Sequence, residues 1–370
     1  MEELFTPEGI DRHWGKEFGF GKGRSVCERS FFFSQLCMDT LYPLLMQPGF
    51  DPRPWGTQDL SPIYPNHRFE QKIGEAWLTG DECKVSNGPL RGQTLAHISE
   101  QYQSELVGEA ARDPKRFPLL LKFLFPYEKL SVQVHPNDAQ AQRVGQPWGK
   151  TECWYVAHAK PGAQIALGLK PGVTAAQFEQ SIHQNRAEEL LNWINVYAGD
   201  MIYVAGGTVH TLGPGSIIVE TQQQSDTTYR LYDYGRPREL HLKDGLAAVK
   251  DKVNSGKVLR PAPTESATGK SRYAPLVAAP YFAVEMFETR ESLHLATRDD
   301  SGKHSVQILV AVEGCGVIEV PGGEPITLAK GDAVVIPACL EKFAVRPQWN
   351  LELLRAYVPG KQYPEPETRF

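Results

Sequence analysis

Two stretches far apart in this 370-residue chain share one pattern, and the repeat restricts the fold more than any other feature. Gly199-Asp200-Met201-Ile202-Tyr203-Val204-Ala205-Gly206-Gly207-Thr208-Val209-His210 parallels Gly331-Asp332-Ala333-Val334-Val335-Ile336-Pro337-Ala338-Cys339-Leu340-Glu341-Lys342. Each reads as a Gly-Asp turn, an apolar strand and a turn of small residues. Around the two copies, alternating runs bounded by Gly and Pro dominate from about residue 117 to 235 and from about 273 to 358, so two β domains are expected. The polar, aperiodic stretch 254–272 reads as a linker or mobile loop, which puts a boundary near residue 260. The copies diverge at their ends, where His210 in the first is Lys342 in the second, so only the first is equipped to hold a metal.

Helical periodicity is confined to a few segments. Thr174 with Gln177 has the spacing of a capping box, and Phe178, Ile182, Leu190, Leu191 and Ile194 form a stripe that predicts a helix inserted between strands near 174–195. Helices are also expected over 94–111 and 244–253. Residues 1–40 are expected to form an N-terminal arm. Within it, the glycines of Phe18-Gly19-Phe20-Gly21-Lys22-Gly23 imitate a phosphate loop but follow no strand, and Phe31-Phe32-Phe33 are expected to pack against the barrel or a neighbour.

A net charge of −5 argues against a sequence-blind affinity for nucleic acid or an anionic membrane, so a bound anion must be caught by a few local cations. No apolar run is long enough to span a bilayer, and the first residues lack the basic and apolar regions of a signal peptide, which predicts a cytoplasmic protein. The six cysteines (Cys27, Cys37, Cys83, Cys153, Cys315 and Cys339) include no C-x-x-C pair and fit reduced thiols.

The chemistry concentrates in Leu130-Ser131-Val132-Gln133-Val134-His135-Pro136-Asn137-Asp138, where alternation puts Ser131, Gln133 and His135 on one face and Leu130, Val132 and Val134 on the other. Glu152 and His210 complete a set of nitrogen and oxygen donors suited to zinc or a similar divalent ion. Cys153 is expected on the face opposite Glu152. The remaining histidines considered (His67, His97, His158, His183, His241, His294 and His304) lack ligand spacing and read as surface or packing residues.

The turn ending in His210 is similar to the second motif of the cupins, small antiparallel jelly-roll barrels that hold a metal inside. Five strings narrow the resemblance: IGEAW at 73–77, LSVQVHPND, WGKTECWYV, GGTVHTLGPG and IVETQQQSDTTYRLYDYGR resemble, in that order, those of the type I mannose-6-phosphate isomerases. The resemblance covers roughly residues 40–358. It implies a mainly β protein of two cupin jelly-roll barrels with a helical insertion and an N-terminal arm. The expected division is an arm over 1–40, a catalytic metal-binding barrel over 41–260 and a metal-free cupin-like barrel over 261–370.

The resemblance also implies one zinc ion per chain on Gln133, His135, Glu152 and His210, a catalytic arginine at Arg230, and further active-site positions at Lys122, Ser131, Lys150 and Glu220. Isomerisation between mannose 6-phosphate and fructose 6-phosphate moves a proton between C2 and C1 through a cis-enediol, so a cation must stand beside the developing oxyanion. Arg230, on the alternating Tyr229-Arg230-Leu231-Tyr232, suits that task, unless it pairs with Asp226 or Asp233. Lys122, Lys150 and Ser131 offer donors for phosphate or sugar oxygens. Glu220, Lys150 and a water held by the metal each have the chemistry of the proton-transferring base. Glu75 and Trp77 are expected in the pocket wall, and Trp55-Gly56-Thr57 departs from the family's paired glycines at the rim. The rival readings are an iron-dependent cupin dioxygenase, disfavoured by the amide of Gln133, and a sugar-phosphate-binding cupin without turnover. The oligomeric state is not fixed by the sequence.

Overall fold

The structure is a computed structural model that describes residues 41–250 and 253–370. The expected arm, with its glycine run, Phe31–Phe33, Cys27 and Cys37, lies outside the described residues. Those described form a mainly β protein. The strands are β1 (Leu44–Gln47), β2 (Gly49–Thr57), β3 (Ile73–Trp77), β4 (Lys84–Val85), β5 (Leu119–Leu124), β6 (Val132–Val134), β7 (Glu152–Ala159), β8 (Gln164–Leu169), β9 (Leu191–Asn195), β10 (Met201–Val204), β11 (His210–Leu212), β12 (Ser216–Gln223), β13 (Tyr229–Tyr232) and β14 (Gly256–Val258). They continue with β15 (Thr264–Glu265), β16 (Ser271–Ala278), β17 (Ala283–Thr289), β18 (Leu293–Ala296), β19 (Gln307–Glu319), β20 (Ile326–Ala329), β21 (Ala333–Ile336), β22 (Lys342–Tyr357) and β23 (Thr368–Arg369).

Three sheets result. An eight-stranded sheet runs β2-β3-β5-β12-β7-β10-β14-β23, a five-stranded sheet runs β13-β6-β11-β8-β9, and a ten-stranded sheet runs β15-β16-β17-β22-β19-β21-β1-β4 with β18 on β22 and β20 on β19. The central strands β5, β10 and β12 of the eight-stranded sheet are buried on both faces, which explains why β5 reads as an almost unbroken apolar run. Leu119, Leu121, Phe123, Cys153, Tyr155 and Val219 share one core with Ile308, Val310, Val335 and Leu354 of the ten-stranded sheet. Their alternates Leu124, Trp154, Val156 and Ile218 share another with Leu130, Ile165, Leu167 and Leu212 of the five-stranded sheet and its approach. Cys153 thus turns away from Glu152, as expected.

The repeat is one turn used twice. Gly199 and Gly331 have φ of +88° and +89°, where a side chain is disfavoured. The following Asp200 and Asp332 each accept a hydrogen bond from the backbone N–H three residues earlier, at 2.9 Å. Beyond the turns run β10 and β21. In the second copy the interior is filled by Phe287, Leu309, Ile318, Leu328, Val334 and Leu353, and Lys342 lies exposed at the start of β22.

The helices are shorter than their periodicity suggests. The capping box at Thr174 is present, but α4 covers only Ala175–His183 and is followed by a 3-10 turn over Ala187–Leu190 and then β9. Asn185, at φ +55°, breaks it. Leu191 and Ile194 belong to the strand, where they take opposite faces: Leu191 packs with Phe178 and Ile182 of the helix, while Ile194 joins the barrel core with Ile165 and Leu212. The 94–111 helix is split by Gln103, at φ +48°, into α1 (Leu95–Tyr102) and α2 (Ser104–Val107), and it stops at Gly108. A short α3 (Asp138–Arg143), capped by Asn137, was not anticipated, and the last helix is α5 (Leu242–Ala248), set earlier than the expected 244–253. Phe178 and Ile182 of α4 and Ala248 of α5 pack with Val132, Val134, Ala166 and Leu231, so the insertion roofs the outer face of the five-stranded sheet.

The stretch expected to be a linker carries β14 and β15. β14 pairs with β10 and receives β23 from the far end of the chain, while β1 pairs with β21 in the ten-stranded sheet. No helix among the described residues is long and apolar enough to cross a membrane.

Candidate metal centre

Two walls face each other inside the first barrel. On the eight-stranded sheet, Trp77, Lys122, Glu220 and Trp154 are successive cross-strand neighbours, and one step along the strands Glu152 lies opposite Gln222. These side chains interrupt the apolar inner face, so β5, β7 and β12 each spend burial on polar groups at one level of the barrel. On the five-stranded sheet, Arg230, Gln133 and His210 form a second row, with Gln133 opposite both others. His135 follows β6 with the parity of Gln133.

The donors converge. One nitrogen or oxygen from each of His135, Glu152 and His210 lies within 4.8 Å of the others, all three residues being buried. His210 Nε2 is 3.4 Å from Glu152 Oε1, and His135 Nε2 is 3.6 Å from Glu152 Oε2. The opposite nitrogen of each ring is tied to the backbone: His135 Nδ1 meets the carbonyl of Thr227 at 2.9 Å, and His210 Nδ1 that of Thr208 at 2.9 Å. Donating Nδ1–H to a carbonyl fixes the tautomer and leaves the Nε2 lone pair directed inward, the arrangement metal-binding histidines require. Gln133 Nε2 is 3.2 Å from His210 Nε2, and Ser131 Oγ donates to Gln133 Oε1 at 3.3 Å. A half-turn of the carboxamide exchanges its ends and presents the oxygen.

The electrostatics favour a cation here. Burial, reinforced by Lys150, lowers the basicity of His135 well below the ordinary histidine value, and burial takes His210 down to about 4, so both rings are neutral at pH 7. Lys150 Nζ contacts Glu152 Oε2, sits 3.1 Å from His135 Nε2 and lies 4.0 Å from Glu220 Oε1. One ammonium is thus shared by two buried carboxylates. Burial works against charge on Glu220, but Lys150 and Lys122 win and hold it down at about 2. Glu152, wholly buried, is pushed up by desolvation in spite of Lys150, and its Oε1 has no hydrogen-bond donor. A buried acid with an orphaned oxygen beside two inward Nε2 atoms fits a divalent ion.

Away from the donors the charges alternate in sign. Lys122 lies 3.2 Å from Glu220 and 3.5 Å from Glu75, with its ammonium 4.9 Å over the Trp77 ring. Glu75 also accepts from Arg53 at 3.2 Å and from Trp77 Nε1 at 2.8 Å. Trp154 Nε1 donates to Glu220 Oε1 at 3.1 Å. Arg230 is half-buried; its Nη1 donates to the carbonyl of Glu239 at 2.9 Å, while its Nε has no partner. Asp233 is occupied by Arg236 and Arg238, and Asp226 lies beside Lys122, so neither takes Arg230.

Gln133, His135, Glu152, His210, Ser131, Lys150, Glu220 and Lys122 therefore belong to one connected set, with Arg230 beside Gln133. Trp154, Arg53 and the Asp138–Gln223 pair support it without having been singled out in the sequence. Trp154 shares the parity of Glu152 and could have been found that way, whereas nothing local marks Arg53 or Gln223.

The match with known proteins is extensive. A family model, phosphomannose isomerase type I, catalytic domain, matches residues 46–167. Mannose-6-phosphate isomerase ManA of Bacillus subtilis (strain 168) is 39% identical over 224 residues, 57% of this chain and 69% of the relative. A mannose-6-phosphate isomerase of Streptococcus mutans is 33% identical over 312 residues, 81% of this chain and 94% of the relative. The crystal structure of the mannose 6-phosphate isomerase from Bacillus subtilis superposes with a TM-score of 0.76 at 29% identity, covering 85% of this chain and 99% of that one.

Proposed function

The chain belongs to the type I phosphomannose isomerases, and on that premise we propose that it interconverts mannose 6-phosphate and fructose 6-phosphate with one zinc ion held by Gln133, His135, Glu152 and His210. The observation that carries the metal assignment is the convergence of two tautomer-locked imidazoles on a buried carboxylate whose Oε1 lacks a donor. When bound, the ion supplies positive charge beside the oxygens at C1 and C2 of the sugar.

The chain's own residues divide the remaining work. Arg230, with an unpartnered Nε–H in the row of Gln133 and His210, is assigned to the developing enediolate oxygen, where its permanent charge stabilises the cis-enediol. Glu220, which lies 4.0 Å from Lys150 and accepts from Trp154 Nε1, is assigned to orient Lys150; Lys150, as the neutral amine, takes the proton from C2 and, as the ammonium so formed, returns it to C1. Lys122 is enclosed by Glu75, Glu220 and Trp77; its place in the mechanism is to hold Glu220, leaving sugar oxygens to Ser131 and the half-buried rim. Residues 41–260 are taken as the catalytic half and 261–370 as its buttress.

Incubating the purified protein with mannose 6-phosphate, with and without a chelator, and following ketose formation tests the reading. Turnover is expected to vanish on chelation and return with added zinc. Undiminished turnover after the metal has been stripped would overturn the ion's role, and no turnover in zinc-loaded protein would overturn the substrate.

A further inference from the structure

A second cavity, of about 400 Å³, opens between Ala110–Pro118, Trp148 and the segment Val358–Tyr363. Its lining includes three cations, Arg112, Lys303 and Lys361, and three rings, Trp148, Tyr281 and Tyr363, but no carboxylate. Arg112 is already paired with Asp138, and Asp299 accepts from Gly360 N in the wall, so Lys303 and Lys361 are the cations that would draw an anion into the concavity. Its size is that of a small-molecule site, and rings beside cations suit a ligand with a flat or sugar ring and a phosphate.

The cavity wall reaches the metal centre through hydrogen bonds. Arg112, stacked 5.1 Å over Tyr281, donates to Asp138 Oδ2 at 2.7 Å. Asp138 Oδ1 accepts from Gly149 N and from Gln223 Nε2, both at 2.9 Å, and Gln223 Oε1 accepts from Thr151 N at 2.9 Å. Asp138 and Gln223 therefore grip the backbone on either side of Lys150. An anion competing for Arg112 loosens one end of that grip.

We propose that this cavity is a second ligand site, for a phosphorylated ring compound, and that its occupancy lowers turnover through Arg112, Asp138 and Gln223. The phosphate is taken by Arg112, Lys303 and Lys361 and the ring by Trp148, Tyr281 and Tyr363. The ligand's source is either a nucleotide or a sugar phosphate, which share this chemistry.

Calorimetric titration of the full-length protein with adenosine 5′-monophosphate, with mannose 6-phosphate and with inorganic phosphate tests the site without reference to catalysis. Saturable binding of the nucleotide assigns a nucleotide site; two molecules of mannose 6-phosphate per chain, reduced to one in Lys303→Gln/Lys361→Gln, assign a sugar-phosphate site. In either case the double variant is expected to weaken that binding by about tenfold or more, with melting temperature and basal turnover unchanged. Trp148→Leu should weaken the ring compound and spare inorganic phosphate. Absence of both binding events, or binding indifferent to Lys303 and Lys361, overturns the site. Turnover that falls as the ligand saturates, and ceases to respond in Asp138→Asn, supports the coupling; a ligand that binds and leaves turnover untouched overturns it.

Discussion

His135 and His210 lie on different strands' ends, yet their ring centroids stand 4.8 Å apart and both rings turn Nδ1 to a main-chain carbonyl. The backbone holds both Nδ1 atoms, while Lys150 and Gln133 meet the opposite Nε2 atoms. The ligands themselves are exposed to a sharper test.

His135→Ala, Glu152→Ala, His210→Ala and Gln133→Ala are each expected to lose the metal together with activity. Arg230→Ala should keep it and lose roughly 10²–10³-fold in kcat, the usual loss when one stabilising donor at a developing oxyanion is removed. Metal analysis beside the isomerase assay on each variant decides the matter. An active, metal-free His210→Ala would sink the ligand assignment.

Lys122→Met should destabilise the protein by about 1.5–3 kcal/mol at neutral pH, because it removes the ammonium shared by the buried carboxylates of Glu75 and Glu220 and leaves them to Arg53 and Lys150. Both carboxyls lie below the ordinary glutamate value of 4.5 in the folded protein: burial opposes the shift, while Lys122 and Arg53 on Glu75, and Lys150 and Lys122 on Glu220, outweigh it. Their stabilisation is therefore complete above about pH 4.5 and is lost as the pH falls toward about 2. Thermal melts from pH 7 to 2 should fall across that window in the parent and less steeply in Lys122→Met. Parallel curves would contradict it.

Gly149→Ala should disturb the centre without touching a ligand. A Cβ there would stand 2.4 Å from the Asn137 carbonyl carbon and 2.5 Å from Asp138 N, so the backbone leading to Lys150 must move. A loss of about 1–3 kcal/mol is expected, with weaker zinc binding. Unchanged melting and unchanged zinc titration would show that the contact is tolerated.

Trp154→Phe removes the indole N–H that donates to Glu220 and keeps most of the buried ring. Losing an orienting hydrogen bond of this kind costs about 10–100-fold, here expected in kcat with zinc content preserved. Steady-state kinetics at full zinc occupancy test it, and an unaffected kcat would free Glu220 from any dependence on Trp154.

The donors were legible because alternation is a local property: Gln133 and His135 share a face by parity alone, and Glu152 and Cys153 separate by the same rule. The repeat was legible for a similar reason, since a left-handed glycine followed by an aspartate that caps the preceding N–H is written in adjacent residues. Helix lengths were not. Leu191 and Ile194 continue the period of α4 by spacing alone although they lie on β9, where Leu191 packs with Phe178 and Ile194 turns to the opposite face. Nor could the partners of Lys122 be read: a lysine in Leu-Leu-Leu-Lys-Phe-Leu looks available for phosphate until β12 and β3 place Glu220 and Glu75 beside it. The grip of Asp138 and Gln223 on Gly149 and Thr151 joins residues too distant in sequence for any period to reveal.

The exchange of strands, with β1 contributed to the ten-stranded sheet and β23 returned to β14, has a bearing on how this chain can be divided. Severed near residue 260, each fragment would carry a raw hydrogen-bonding margin made for the other and would be prone to stick to its own kind. The two barrels are stitched together, and residues 41–260 expressed alone would be missing their hem.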